Sequence, residues 1–451
     1  MTRWVSVQPR LVVPLLGLVT VVFCVPVRAQ TSPSAGEVAL PSLDPNLSPA
    51  AEENLPLLYQ RLLLAFDSDY ETYLLNQRHR DLSDAMTVYY LRQELQALID
   101  MWRTTGQDVY LDSATDLTLQ AIQAASDHRR PLLHHDEVRG EWPCFYLESV
   151  QAQTGGHNQL CDFQGCAGFL NVARILQQLD RPEWQPIADF VEHQVIEKWL
   201  YYKPGITAWD MMADPNSANN LFAILNAGRD VREHFAGICL DLYRLGRRDY
   251  AYNEWAARLI EMYLTPRYDV NQPAPWQDEI PTLMPANWGL LARSTPDSQT
   301  WFFIPNNDPA RWSEPADTSH ANRTAWLAAR AYAEGFIGPD VMEGLVNTFR
   351  YQIWTPENGP FYFTNYADGN DVDIDGLSSG RGGNVWFGWH RLAAHDDGLR
   401  TLFLNLAYDL TGGGPNLPPG AQNKSMLNAK TCLEAWAARL IADEGWPCIF
   451  P

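Results

Sequence analysis

The chain has 451 residues, and its 54 acidic side chains outnumber its 33 basic ones, so the formal net charge is −21. Duplex nucleic acid requires several Lys or Arg residues against its phosphates, and this charge argues against such a partner. The sequence also holds 17 Trp and 19 Tyr residues. With so many aromatic rings, some should lie in a cleft, where Trp and Tyr commonly stack on the apolar faces of ring-shaped ligands.

The first 29 residues have the pattern of a secretory signal peptide. Arg3 and Arg10 precede an apolar run over residues 11–25, and Val27 and Ala29 supply the small-residue pattern that predicts cleavage before Gln30. The apolar run is too short to cross a bilayer comfortably. We therefore expect a secreted or periplasmic protein with no membrane span after signal cleavage.

Helical patterning begins after a short lead-in. Residues 30–56 are rich in Ser, Pro, Ala and Glu, a composition typical of flexible segments. Apolar residues then recur at spacings of three and four, which predicts helices over residues 57–64, 84–103 and 111–125.

A unit of helix, short polar turn and helix recurs along the chain. Residues 89–111 are echoed by residues 234–251, and similar pairs occupy residues 169–195, 325–349 and 389–408, before a last helix over 427–441. Self-similar hairpins of this kind bury their apolar faces only against their neighbours. Such an array stays an open solenoid or closes into an α/α toroid.

The long connections between the hairpins favour the toroid. Residues 140–156, 202–219, 265–317 and 354–383 are rich in Pro, Gly, Asp, Asn and aromatic residues, whereas the turns inside the hairpins are short. This alternation places the long loops at one rim, where a binding cleft would form. We predict an all-α fold, an (α/α) toroid or incomplete barrel of about six hairpins, forming one catalytic domain over residues 57–451.

Six cysteines remain once the predicted signal peptide is removed. An even number in an exported chain favours disulfide bonds, although the sequence alone leaves the connectivity open. Proximity along the chain suggests the pairs Cys161–Cys166 and Cys432–Cys448. No C-x-x-C motif is present, so we do not expect a structural zinc site.

The segment from Trp312 to Gly335 carries the strongest local signal. Asp317, Thr318 and Ser319 can each cap a helix, and an Ala-rich apolar pattern follows, so a helix should begin near His320. Its first turn would present His320, Asn322 and Arg323 beside free backbone N–H groups, an environment that favours an anionic ligand. The alternative is that these side chains only satisfy local backbone groups.

Two motifs together resemble those of the α/α-toroid polysaccharide lyases that cleave alginate and glucuronan. The first is the Asp-Thr-Ser-His-Ala segment that opens the predicted helix. The second is Asn-Tyr-Ala-Asp-Gly at 365–369, followed by Val-Trp-Phe-Gly-Trp-His-Arg-Leu-Ala at 385–393. The order of helices and loops resembles these lyases over roughly residues 80–410, whereas the amino acids themselves match only in these motifs. It implies β-elimination at a uronic acid within an acidic polysaccharide or oligosaccharide, with no required cofactor.

The resemblance also implies roles for particular residues. In such enzymes a Tyr or His moves the C5 proton to the leaving oxygen, and amide or guanidinium groups hold the carboxylate. We expect His320 and Tyr366 to transfer protons. The other candidates are Asn158, Arg323 and Arg381 on the carboxylate, His157, His234 and Asn219 lining the cleft, and Trp312 and Trp209 as sugar platforms.

Each of these groups also has a simpler interpretation. Asn158 can be a helix N-cap after a Gly turn, and Tyr366 can pack among the aromatic residues of its loop. A polar stripe that includes Arg229, Glu233 and His234 can be a solvated helix face rather than part of a cleft. A phenol acts as a base more readily beside a cation, so we pair Tyr366 with Arg323 and Arg381.

A short acidic motif raises the question of calcium. Asp371, Asp373 and Asp375 precede Gly376 in the pattern D-x-D-x-D-G, in which alternate carboxylates converge on a hard cation. Residue 382 is Gly where a bidentate Glu would complete the loop. A structural Ca²⁺ and a solvated acidic turn both remain open.

Two other functions compete with a lyase. A glycoside hydrolase on the same scaffold needs a pair of carboxyl groups, for which Asp210, Asp317, Glu314 and Glu141 are the candidates. A non-catalytic glycan-binding toroid needs no such pair of carboxyl groups. The sequence contains no H-E-x-x-H motif and no Gly-rich phosphate loop.

Overall fold

A computed structural model describes most of the chain after residue 54. The described residues are 55–71, 82, 85–127, 129–131, 138–140, 159–197, 229–278, 288–306, 311, 313–359, 361–370, 385, 388–412 and 424–442. All of them belong to one unit, Asp44–Pro451.

The described structure is mostly helical, which confirms the all-α class. Its helices are α1 (Leu55–Asp69), α2 (Ala85–Thr105), α3 (Asp108–Asp127), α4 (Gln159–Gln178), α5 (Trp184–Phe190), α6 (Arg229–Arg244), α7 (Tyr252–Leu264), α8 (Thr318–Ala333), α9 (Pro339–Thr348), α10 (Asp397–Gly412) and α11 (Lys424–Ala442). Turns of π-helix extend α5 over Val191–Ile196 and α9 over Phe349–Ile353, and 3₁₀ turns occupy Pro356–Asn358 and Trp389–Ala394.

The predicted helices and hairpin turns are confirmed. The helices expected over 84–103 and 111–125 are α2 and α3, and the helix expected near His320 is α8. Gly106, Gly246 and Gly335 follow the first helices of three hairpins with φ values of 70°, 84° and 79°. A residue with a positive φ, in the left-handed region, ends a helix and reverses the chain direction. Glycine adopts this conformation without a steric penalty.

A small sheet lies in a region that we expected to be loop. Strands β3 (Pro266–Arg267), β4 (Leu290–Ser294) and β5 (Thr300–Phe303) form a three-stranded sheet in that order, with β3 parallel and β5 antiparallel to β4. The Pro- and Asp-rich composition of this region suggested a loop, because strands this short leave little sequence signal. The buried Phe302 anchors β5 against α9, and its ring lies against Gly344. A separate pair, β1 (Arg129–Pro131) and β2 (Val138–Gly140), is antiparallel.

One set of helices packs in a consecutive order. α2 packs on α4, α4 on α6, α6 on α8, and α8 on the 3₁₀ segment Trp389–Ala394. This segment packs on α10, α10 packs on α11, and α11 packs on α2. Among the described helices, none combines the length and apolar composition that crossing a bilayer requires.

Small residues set the closest contacts between these helices. A Cβ at Gly168 would lie 2.8 Å from Cα of Arg92, and a Cβ at Gly237 would lie 3.0 Å from the ring of Trp326. A Cβ at Gly388 would overlap the carbonyl oxygen of Asn322. Glycine at these positions lets a backbone approach its neighbour, so large polar side chains elsewhere can meet between the helices.

The expected disulfide between Cys161 and Cys166 is wrong. Both residues are reduced and buried in α4, and Cys239 and Cys432 are reduced and buried as well. Residues five apart on a helix point about 140° away from each other and cannot form a bond of normal geometry. Cys432 instead donates a hydrogen bond to the carbonyl of Gln93 at 2.9 Å. Cys448 lies outside the described residues.

The Gly168 contact gives a test of this packing. Ala is favoured over Gly inside a helix by about 1 kcal/mol, so an unconstrained Gly168→Ala change would stabilise the protein. Because the added methyl must displace the backbone of α2, we expect destabilisation of about 1–3 kcal/mol instead. Urea unfolding measures it, and Gln178→Ala at the exposed end of α4 serves as the control, with a change within about 0.5 kcal/mol. Stabilisation by Gly168→Ala would contradict the packing.

Candidate functional site

Four polar side chains from four helices meet near the N-terminal ends of those helices. Tyr89 of α2, Gln164 of α4, His234 of α6 and Arg323 of α8 form this group, which we call the upper layer. Arg323 donates from Nε to Nε2 of His234 at 3.2 Å and from Nη2 to Oε1 of Gln164 at 3.2 Å. The same guanidinium contacts the hydroxyl of Tyr89. Residues separated by up to 234 positions in sequence are thereby joined.

Arg323 is almost entirely buried and its donors are occupied. Its exposed fraction is 4%, and Nη1 donates to the carbonyl of Ser319 at 3.2 Å. Burial disfavours the charged form, but Tyr89 and Asp230, whose carboxylate lies 3.8 Å away, raise the pKa above the ordinary value. The guanidinium therefore holds four helices together as a permanent cation.

His234 is fully buried in the upper layer. Its Nε2 lies 3.2 Å from Nε of Arg323 and 3.1 Å from Oε1 of Gln164, and its buried Nδ1 has no hydrogen-bond partner. Burial, and then the charges of Arg92 and Arg323, hold its pKa well below the ordinary value. His234 is therefore held in its neutral form in this structure.

The polar stripe of α6 is buried and is not a solvated face. Arg229 and Glu233 form an ion pair at 2.8 Å, and both side chains are at most 5% exposed. Thr324 of α8 donates to the same carboxylate at 2.6 Å. Burial raises the pKa of Glu233, while Arg229 and the Thr324 hydroxyl act in the opposite direction. These groups join α6 to α8 directly beneath the first turn of α8.

An accessible imidazole and a carboxylate lie at that first turn. Asp317 caps α8 by accepting from the backbone N–H of His320 at 3.0 Å, and its other oxygen accepts from Nδ1 of His320. Ser319 also donates to Asp317. Burial opposes ionisation of Asp317, but the hydrogen bonds and charge of His320 and the Ser319 hydroxyl lower its pKa to about 2. The His320 side chain is 36% exposed.

This contact fixes the orientation of the imidazole. When the ring is neutral, an ionised Asp317 holds its proton on Nδ1, which leaves a lone pair on Nε2. A partly exposed imidazole oriented by a largely shielded carboxylate is the arrangement that general bases use.

The two motifs of the sequence analysis are adjacent in the structure. Asp317 and Tyr366 form an antiparallel bridge, and the backbone N–H of Thr318 donates to the carbonyl of Asn365 at 2.8 Å. Tyr366 is 9% exposed, and its side chain shares a hydrogen bond with Arg311. Residues nearly fifty positions apart are therefore placed at one helix end.

Among the described residues, Arg311 is the cation beside Tyr366. Its guanidinium is exposed and pairs with Glu314 at 2.7 Å. We had expected Arg323, which is engaged in the upper layer, or Arg381, whose pairing with Tyr366 stays a prediction. Arg311 could not be recognised from the sequence, because a single Arg in a polar loop carries no periodic or motif signal. Its position one residue before Trp312 was the only cue.

Several predicted site residues lie outside the described residues. They are Asn158, His157, Arg381, Trp312, Trp209 and Asn219, the calcium candidates Asp371, Asp373 and Asp375, and the carboxylates Asp210 and Glu141. Their roles and the calcium site stay predictions. The structure brings Arg323 and His234 into direct contact, and it places His320 and Tyr366 on adjoining segments.

Among the described residues, one group has the side chains that a metal ion could use. Glu192, His193 and Asp249 have ligand atoms within 4.8 Å of one another. Arg247 lies 3.5 Å from the buried carboxylate of Glu192, which also accepts from Tyr252 at 2.9 Å. A guanidinium already supplies the positive charge there, so this cluster is an ion-pair network and does not support a metal site.

No known protein family matches the chain, and no curated protein or solved structure matches it. The contacts of the described residues therefore carry the functional argument.

The buried His234 predicts a dependence of stability on pH. The folded state keeps His234 neutral, whereas the unfolded chain binds a proton below about pH 6.5. The stability that depends on His234 is thus complete above that pH and is lost as the pH falls, by at most about 1.4 kcal/mol per pH unit. Urea unfolding between pH 7 and 5 measures the slope. The His234→Gln variant keeps an acceptor for Arg323, and its stability should depend less steeply on pH than that of the wild type. Equal slopes in the two proteins would contradict a buried, neutral His234.

Proposed function

We propose that the chain is a polysaccharide lyase that cleaves a uronic-acid-containing glycan by β-elimination. The observation that carries the proposal is the His320–Asp317 pair, a partly exposed imidazole oriented by a carboxylate that is 13% exposed, with Tyr366 on the adjoining segment and Arg311 beside Tyr366. The resemblance of the two motifs to toroid lyases supports the same reaction class.

The scaffold of the proposal is an α/α toroid. The packing order from α2 through α4, α6, α8, the segment Trp389–Ala394, α10 and α11 and back to α2 supports a closed ring of helices. In such a ring the upper layer fills the centre beneath the site. Arg323 fixes α8 in the upper layer, so the first turn of α8, which carries His320, belongs to a rigid helix.

The chemistry follows from the roles that these groups can fill. Nε2 of His320 takes the C5 proton of the uronic acid, and the C5–H electron pair forms the C4–C5 double bond as the C4–O bond breaks. The leaving oxygen receives a proton from the hydroxyl of Tyr366. Arg311 is the described cation that can pair with the substrate carboxylate, where negative charge increases in the transition state.

The alternative of a glycoside hydrolase is less well supported by the described carboxylates. A hydrolase needs a carboxylic acid that keeps its proton at neutral pH. The pKa of Asp317 is lowered to about 2 by its contacts with His320 and Ser319, which outweigh burial. Glu314 is exposed and paired with Arg311. Neither has the environment of a general acid.

The first test replaces the two proton-transfer groups. His320→Gln and Tyr366→Phe should each lower kcat/KM on a uronate polysaccharide by about 10²–10⁴-fold, because general acid–base catalysis contributes that much. Ultraviolet absorbance of the conjugated double bond measures turnover. His193→Gln and Tyr268→Phe change the same residue types at exposed positions, with exposed fractions of 40% and 72%, and should retain activity. Full activity in either site variant would remove that residue from the mechanism.

The second test uses Asp317. Asn caps a helix as well as Asp does, so Asp317→Asn should keep α8 folded while removing the carboxylate that orients His320. We expect a fall in kcat/KM of at least about 10²-fold with unfolding free energy within about 1 kcal/mol of the wild type. Reducing ends that appear without ultraviolet absorbance would instead indicate hydrolysis, and binding without any product would indicate a glycan-binding protein.

A further inference from the structure

A small cavity lies between the helices about two turns below the upper layer. Gln96, Asn171, Asp241 and Arg330 each follow an upper-layer residue by seven positions on α2, α4, α6 and α8, and we call them the lower layer. The cavity beside them has a volume of about 40 Å³. Since about 10–15 Å³ suffice for one water, it has room for about three waters or one small polyatomic ion.

The lining of this cavity consists of donors and apolar groups. The polar groups around it are Arg103, Arg174, Arg330, Arg391, Gln96 and Asn171, and the remainder of the lining is apolar. The part of the lining that the structure describes contains no carboxylate. Four guanidiniums around one space present many N–H groups in planar arrays, the geometry that recognises oxyanions.

Three of the lining arginines, Arg174, Arg330 and Arg391, form ion pairs with nearby carboxylates. Asp241 accepts from Arg174 at 3.0 Å and also binds both terminal nitrogens of Arg330. Asp100 pairs with Arg391 at 3.0 Å. Glu334 lies 3.6 Å from Arg174 and also binds the exposed Arg244. Two of these carboxylates are shared, because Asp241 binds both Arg174 and Arg330 and Glu334 lies against both Arg174 and Arg244.

Two observations indicate that an acceptor would be favoured beside these cations. Nε of Arg391 is buried without a hydrogen-bond partner, although the side chain is only 4% exposed. Burial lowers the pKa of Arg103 to about 10, Asp100 acts against this, and the charges of Arg439, Arg391 and Arg174 add to the lowering. A bound anion would relieve this repulsion.

We propose that this cavity is a binding site for one small tetrahedral oxyanion of the phosphate or sulfate class. The guanidiniums of Arg103, Arg174 and Arg391 would donate to it, with Asn171 at the side. A cation is disfavoured by the four arginines, and an apolar ligand by the polar half of the lining.

The oxyanion site is separate from the candidate catalytic residues. Arg330 follows His320 by ten residues on α8, which corresponds to about 15 Å along the helix axis. An anion at this depth would tie α2, α4, α8 and the segment Trp389–Ala394 together and would stabilise the folded protein without touching the substrate.

Isothermal titration of the full chain with inorganic phosphate, at constant ionic strength set with chloride, tests the proposal. We expect saturable binding of one phosphate per chain, competition by sulfate, and a phosphate-dependent rise in melting temperature. Arg103→Gln removes one donor, and Ala329→Val fills the cavity without changing any charge; each should weaken binding at least tenfold.

Arg181→Gln is the control, because Arg181 pairs with Asp112 and Glu183 and does not line the cavity. It should bind phosphate as the wild type does. Absence of saturable binding in the wild-type chain would overturn the proposal whatever the variants do. Equal phosphate affinity in the wild type and in either folded cavity variant would overturn it as well.

Discussion

The structure depends on pairing charges that are buried between helices. Asp241 has no exposed surface and accepts from Arg174 of α4 and Arg330 of α8, so three helices share one carboxylate. Loss of one partner of a buried ion pair leaves an uncompensated charge and costs about 3–5 kcal/mol. In an apolar core, one helix can shift along its neighbour at little cost. These ion pairs form only when the helices have one particular alignment along their axes. The buried charges therefore specify which helix turns face each other.

The same register places the candidate site. Two turns separate Arg330 from Arg323, and Arg323 fixes α8 against Tyr89, Gln164 and His234. Trp326 lies between these levels, with Arg92 over its ring at 4.1 Å. The first turn of α8 emerges from this rigid stack, and Asp317 both caps the helix and orients His320. Because the upper layer fixes this end of α8, the imidazole of His320 has a defined orientation, which proton transfer requires.

Much of the helical layout could be predicted from the sequence, because helix ends depend on local chemistry. Asp317 caps α8 as its position before an Ala-rich run predicted, and Gly106 and Gly246 end their helices. The burial of Arg174, Arg323, Arg330 and Arg391 could not be predicted. Arg is usually exposed, and whether it is paired inside depends on helices distant in sequence. Arg311 was missed for the related reason that its partner Tyr366 lies fifty-five residues on.

Four reduced cysteines of the described residues have a consequence for how this chain reaches its native state. Cys161, Cys166, Cys239 and Cys432 are all buried, and burial raises the pKa of the Cys239 and Cys432 thiols well above the usual range. Oxidation proceeds through the thiolate, so these buried cysteines resist it in the folded chain. The unfolded chain has no such protection, and helix packing must outpace the formation of wrong sulfur–sulfur bonds. Refolding from denaturant thus calls for a reductant that the native protein can do without.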